Sequence, residues 1–459
     1  MSRAYMGIDL GTSSVKIICI YPDGKTQKSK AEYDEISPKG WCDGVVRALS
    51  AVDTSSVCAI GLSSQVGTYI VNEKDVISWR STAGADELNE IKSRFTQAEF
   101  IKEISMPHPD IISYPIPRLK YIRKKYKDGA SVCQPKDIIG RFLTGNYATD
   151  QYSWRGLANM ETGTYSRCFL VDTGNPRLPD ITDYRAMLGK TTADTCRLTG
   201  IPEGTPVYIG LNDFFASLMG MGLTEAGDIF DITGTSEHLG IITDGLVDST
   251  SMVSGPYTDH FVHYGVTASS GASLDFGLKN FGFDRIELTE TLVKSSPIFT
   301  PYLNGERAPV FDSNATGTFF GITTDCTNES LAYSVLEGVV FSIYHIYENL
   351  GSPSARRMRI SGGAADSVIL NLLKSELFNL PAIITEEKDT SALGAAMVAA
   401  IGDGAYSDVR AASEDLCRIK HTVNPTGNLR PLMLRRYEIY KELYPSLKNT
   451  YKKFKEVQL

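Results

Sequence analysis

Two stretches of the chain carry the same alternation of apolar runs and turn formers. Ala4–Leu10 is an apolar run, Gly11-Thr12-Ser13-Ser14 is a cluster of turn-forming residues, and residues 15–21 are apolar again. That pattern predicts a β-hairpin. It returns in the second half, where residues 228–232 and 239–242 read as strands around Thr233-Gly234-Thr235-Ser236. An aspartate stands just before each Gly-Thr-Ser triplet, Asp9 and Asp231. Such a recurrence predicts a duplicated architecture, with one lobe over residues 1–225 and a second over 226–459. Coincidence is the alternative, because Gly, Thr and Ser favour turns in any protein.

Strand and helix patterns alternate elsewhere. Residues 59–62 read as a short buried strand. Leu331, Val335, Val339, Ile343, Ile346 and Leu350 trace one helical face, with Thr327 or Asn328 placed to cap its start and Gly351 to end it. A further helix is predicted over 367–379, after Ser361-Gly362-Gly363-Ala364. Residues 391–401 form a helix of small side chains, able to lie very close to a neighbour. The class is α/β.

Composition narrows the picture by exclusion. The 459 residues are 42% apolar and 22% charged, which argues against a disordered, collagen-like or coiled-coil chain. With 46 basic and 54 acidic residues, a formal charge of −8 and no basic stripe, nucleic acid is not an expected partner. The lysines between 441 and 455 alternate with Tyr, Leu and Phe, as an amphipathic terminal helix would require. Eight scattered cysteines show no zinc spacing and no compact disulfide framework. No apolar signal region opens the sequence, and no apolar run approaches the roughly 18 residues of a transmembrane helix. A cytosolic protein without a membrane partner is the expectation.

Several familiar chemistries are missing. Gly24-Lys25-Thr26 and Gly189-Lys190-Thr191 lack the first glycine of a P-loop, having Cys19 and Tyr184 in its place. No dinucleotide fingerprint and no nucleophile elbow occurs. His260 and His263, beside Asp259, lack a third nearby ligand and read as ordinary histidines. What remains are the two Gly-Thr-Ser turns, whose backbone N–H groups and hydroxyls suit phosphate oxygens. Two such turns on separate lobes could hold opposite ends of a nucleoside triphosphate, and Asp9 could hold Mg²⁺. Residues 206–212 read as a strand that delivers Asp213 to the start of a helix over 214–221. Asp213 is then either a catalytic acid at a cleft or a helix N-cap.

Taken together, these residues resemble a family. Met6-Gly7-Ile8-Asp9-Leu10-Gly11-Thr12-Ser13-Ser14-Val15-Lys16 is similar to the first phosphate motif of the sugar kinase, Hsp70 and actin superfamily. Pro301-Tyr302-Leu303-Asn304-Gly305-Glu306-Arg307 resembles the P-Y-L-x-G-E-R segment of the FGGY carbohydrate kinases, and Gly317–Ile322 resembles its continuation. Ser361-Gly362-Gly363-Ala364 is similar to that family's adenine-side loop, Ser391–Ala396 to its A-L-G-A-A helix, and Leu143-Thr144-Gly145 with Thr149-Asp150 to its L-T-G…T-D stretch. The motifs occur in order across most of the chain.

The resemblance implies two actin-like (ribonuclease H-like) lobes with ATP in the cleft between them. It implies that Asp213 is the general base, that Gly11, Thr12 and Ser13 form the first phosphate loop and Gly234, Thr235 and Ser236 the second. Asp9 would lie near Mg²⁺, and Gly362, Gly363 and Ala364 would line the adenine pocket. The expected partner is a small ketose or polyol, and a homodimer is allowed.

On the sugar side the chain departs from the pattern. Xylulose kinases carry Met-His and glycerol kinases Arg-Glu where this chain has Val66-Gly67, which offer a polyol no side-chain hydrogen bond. The W-x-D-x-R segment is Trp79-Arg80-Ser81-Thr82-Ala83, without its Asp and Arg. Gln65 and Trp79 are the expected substrate contacts, with Trp79 as a core residue the alternative. Residues 150–154 loosely resemble a sedoheptulose kinase stretch. Two other readings stay open: a catalytically weak sugar or nucleotide sensor, and an Hsp70-like ATPase.

Overall fold

The computed structural model describes residues 3–108, 110–247, 252–283 and 286–458. The chain forms two compact units, Met1–Thr224 with Asp389–Arg418, and Glu225–Lys388 with Ile419–Leu459. The segment Asp389–Arg418 departs from expectation, because it returns to the first unit.

The strands of the first unit's main sheet, in chain order, are β1 (Ala4–Leu10), β2 (Ser14–Ile20), β3 (Thr26–Glu32), β4 (Val57–Ser64), β5 (Met187–Lys190) and β6 (Pro206–Asn212). The second unit holds β7 (Asp228–Thr233), β8 (Glu237–Thr243), β9 (Val253–Tyr257), β10 (His260–Val266), β11 (Arg357–Gly362), β12 (Ala382–Thr385) and β13 (Ile419–Val423). Spatial order is β5-β6-β4-β1-β2-β3 in one sheet and β13-β12-β11-β7-β8-β10-β9 in the other. Read in those directions, the first five pairings of both sheets run antiparallel, parallel, parallel, antiparallel, antiparallel. The two units are therefore topological copies, as the recurring hairpin predicts. The wiring differs at both edges: β5 precedes β6 whereas β13 follows β12, and β3 follows β2 directly whereas the extra edge strand β9 comes between β8 and its neighbour β10.

Buried central strands explain the near-continuous apolar runs of β1 and β4: helices cover parallel strands on both faces. On the first unit one cover is the small-residue helix Thr390–Gly402, all of it buried but Ser391 and Gly402. It lies so close that a Cβ on Gly7 or Gly61 would overlap the carbonyl oxygens of Ala392 and Ala395. Only glycine in the sheet and alanine on the helix permit that approach.

The second unit packs around helix Asn328–Asn349, whose cap is Thr327, with its hydroxyl accepting from the Ser330 N–H at 3.1 Å. The Lys-rich tail is the helix Arg430–Gln458, burying Met433, Tyr437, Tyr440 and Tyr451. His263 is a strand residue bonded through Nδ1 to Ser254 and Nε2 to Thr243, each at 2.8 Å. Among the described residues, no helix is long and apolar enough to cross a membrane.

Candidate active site

In the first unit the chemistry gathers at the carboxyl ends of β1, β4 and β6. Gly11 closes the first hairpin, its N–H donating to the Ser14 carbonyl at 2.9 Å, and the tip residue Ser13 is exposed. Asp9 is 4% exposed. Its Oδ1 accepts from the Ser63 hydroxyl at 2.8 Å and its Oδ2 from the Ser391 hydroxyl at 2.6 Å. Burial raises the Asp9 carboxyl above its ordinary value, and the two serine hydroxyls oppose the rise.

Asp213 opens helix Asp213–Gly220, but it is not the cap. Asn212 takes that role, with its side chain accepting the Phe215 N–H at 3.1 Å and donating to the Tyr152 carbonyl at 2.8 Å. Capping by the preceding residue leaves the Asp213 carboxylate to local backbone donors, the Phe214 N–H at 2.8 Å and its own N–H. Burial pushes Asp213 up to about 7, and the nearby Asp9 charge adds to the rise. A carboxylate in that range is poised to accept a proton near neutral pH.

Both expected substrate contacts lie in this unit. Gln65 follows β4, donates its N–H to the Leu10 carbonyl at 2.8 Å and is 4% exposed. Its Oε1 is buried with no hydrogen-bond partner among the described residues, so it is an acceptor waiting for a donor. Trp79 is 41% exposed, not core, and its indole N–H donates to Thr12 Oγ1 of the first turn at 3.1 Å. Arg80 is exposed and stacks on the Trp79 ring at 5.3 Å. Residues 150–154 are interior instead: Trp154 is fully buried and packs on Tyr69.

Sequence reasoning missed the supports. Ser63 and Ser391 orient Asp9, and Ser391 comes from a helix far along the chain. Arg118 is fully buried and donates to the carbonyls of Ala83, Ser81, Ser78 and Trp79 at 2.5 to 3.3 Å. It gathers the loop that carries Trp79, yet in sequence it is one more basic residue of a basic helix.

In the second unit the other turn and the Gly-Gly loop come together. Gly234 closes the hairpin on the Ser236 carbonyl at 2.7 Å, and Gly234 and Thr235 are exposed. The Gly363 N–H donates to the Thr233 carbonyl at 2.8 Å, so the 362–364 loop abuts the strand end that bears the turn. Gly362 has φ +98, and a Cβ there would overlap the Thr233 carbonyl oxygen. Gly362→Ala is expected to cost about 1–3 kcal/mol in strain, checked by thermal melting.

The Asp9–Asp231 correspondence fails. Four residues separate the last pair of the first hairpin, Leu10 and Val15, whereas three separate Thr233 and Glu237. Matching the hairpins by those pairs sets Asp9 against Ile232, and both face a serine across the parallel pairing, Ser63 and Ser361. Asp231 is one residue out of step, and one step along a strand reverses the face. It points instead to the buried Lys374 ammonium at 2.5 Å. Lys374 also meets Glu237 at 2.6 Å.

Two family models match, the N-terminal domain of the FGGY family of carbohydrate kinases over residues 4–220 and its C-terminal domain over 231–402. Xylulose kinase from Bacillus subtilis (strain 168) is 25% identical, with 97% of each chain covered. L-xylulose/3-keto-L-gulonate kinase from Escherichia coli (strain K12) is 25% identical, with 99% of each covered. The crystal structure of gluconate kinase from Lactobacillus acidophilus shares the fold with a TM-score of 0.85 at 22% identity, covering 99% of this chain and 100% of that one.

Proposed function

This chain belongs to the FGGY family of carbohydrate kinases, and from that premise we propose that it transfers the γ-phosphate of Mg-ATP to a hydroxyl of a small ketose or polyol, with Asp213 as general base. The family makes it a sugar kinase with ATP as donor, and such a reaction belongs in the cytosol. The observation that carries the role of Asp213 is its uncapped, raised-pKa carboxylate at the end of β6, beside Asp9.

In this reading the Asp213 carboxylate takes the proton from the sugar hydroxyl as that oxygen attacks phosphorus. Gln65 Oε1 accepts from a second hydroxyl, and Trp79 offers the sugar an apolar wall. The turns Gly11, Thr12 and Ser13, and Gly234, Thr235 and Ser236, each closed by its glycine N–H, offer their remaining backbone N–H groups and hydroxyls to phosphate oxygens, while Gly362, Gly363 and Ala364 border the adenine. Phosphoryl transfer depends mainly on such positioning and charge neutralisation. Asp9 suits Mg²⁺ held through water: a hard oxygen donor whose carboxylate is already oriented by two hydroxyls. When bound, the ion would neutralise phosphate charge.

The test is ADP release with Mg-ATP across xylulose, other ketoses, polyols and gluconate. Release that depends on one of these acceptors is expected. Release without any acceptor would favour an ATPase, and intact ATP binding with no release would favour a sensor.

A further inference from the structure

We propose that Lys136 is a positioning residue for Asp213, acting through a bulge in β6. Tyr208 pairs with Gly61 and Leu211 with Ser63, so β6 advances three residues where β4 advances two. The extra residue lies at Ile209-Gly210, one residue before Asn212-Asp213. A bulge bends its strand and re-aims the residues beyond it. Gly210 has φ +74, and a Cβ there would overlap the Leu62 carbonyl, so the distortion is written into the sequence.

A bulge removes backbone groups from the ladder, and buried ones need other partners. The Ile209 and Gly210 N–H groups donate to the carbonyls of Ala186 and Tyr184, at 3.1 and 2.9 Å. Both outward-turned carbonyls are met by one side chain. Lys136 Nζ donates to Ile209 O and to Gly210 O, each at 3.1 Å, and its third bond goes to Asp150. Lys136 is 1% exposed and Asp150 fully buried. Asp150 is itself fixed by the Ser153 N–H at 2.9 Å and the Ser153 hydroxyl at 2.5 Å. All three ammonium protons are used, two of them on the bulge. A buried pair that served only its own neutrality would not need the bulge carbonyls. The arrangement is a strut from helix Pro135–Thr144 to the two residues that set the direction of the strand end.

The inference rests on Asp213 being the base, and the test separates the two. Lys136→Met is made alone and with Asp150→Asn, which removes the orphaned charge and keeps an acceptor for Ser153. Folding is followed by melting, and kcat and the KM for ATP are measured for both. A fall in kcat of about 10²-fold is expected, the scale of an ångström misplacement, with the ATP KM within about twofold. If the single variant does not fold, the double variant decides. A double variant with wild-type kcat would reduce Lys136 to a counter-ion for Asp150 and overturn the proposal. So would a parallel loss of kcat and ATP affinity. Wild-type turnover that survives Asp213→Asn would instead overturn the base assignment on which the inference stands.

Discussion

Asp213→Asn is expected to lower kcat by about 10²–10⁴-fold, the usual contribution of a positioned general base, while ATP binding stays intact. Asparagine keeps the shape and the acceptor for the Phe214 N–H, so the loss measures proton transfer rather than folding. Unchanged turnover would remove Asp213 from the mechanism. The same substitution should move stability the other way. In the fold, burial and the Asp9 charge hold Asp213 up to about 7, against an ordinary carboxylate near ~4. The folded state therefore binds this proton more tightly than the unfolded chain. Its stabilisation is fully present below about pH 4 and is lost as pH rises through about 7. Above that point the wild type carries a desolvated carboxylate that the variant lacks. In metal-free buffer the variant's melting temperature should match the wild type at pH 4 and exceed it at pH 8. Parallel curves across that range would show that Asp213 is not buried as a charge.

Local patterns carried the strands and helix ends of both units. Thr327 and Gly351 bracket the long helix because capping and left-handed termination are decided within four residues. The doubled hairpin revealed the doubled topology for the same reason: a strand-turn-strand is a local object. Its register was not legible. A difference of one residue in turn length moves Asp231 to the opposite face from Asp9, and nothing in the two Gly-Thr-Ser triplets announces it. Ser391, Lys136 and Arg118 were missed on different grounds. Their partners are Asp9, Asp150 with a strand bulge, and four loop carbonyls, and no period links such residues. The chain crossing at 389 was also invisible, although the small side chains of 391–401 did predict a close approach. What they could not reveal was which sheet would be approached.

Lys374→Met should cost about 3–5 kcal/mol at neutral pH, the scale of stranding a buried charge. Lys374, Asp231 and Glu237 have fully buried side chains, one ammonium between two carboxyls. Burial and the Glu237 charge hold the Asp231 carboxyl well above the carboxylate range, so it keeps its proton. Glu237 is the ionised partner: against its burial, the Lys374 ammonium pulls it down to about 2. It also accepts from the Thr233 hydroxyl at 2.7 Å and from Ser270, which ties the triad to the base of the Gly234–Ser236 turn.

The depressed Glu237 contributes stability that is present above about pH 4 and lost as pH falls through about 2. Without Lys374 that sign reverses. Burial alone then raises Glu237, and its proton stabilises the fold at low pH and is lost as pH rises. The variant should therefore be weakest at pH 7 and approach the wild type near pH 4, as measured by urea unfolding at both values. An equal deficit at both would mean the lysine acts by packing rather than by charge. Lys374→Met with Glu237→Gln removes the ion while keeping the acceptor for Thr233. That pair should recover most of the loss, because a neutral network in the same shape has no charge left to strand.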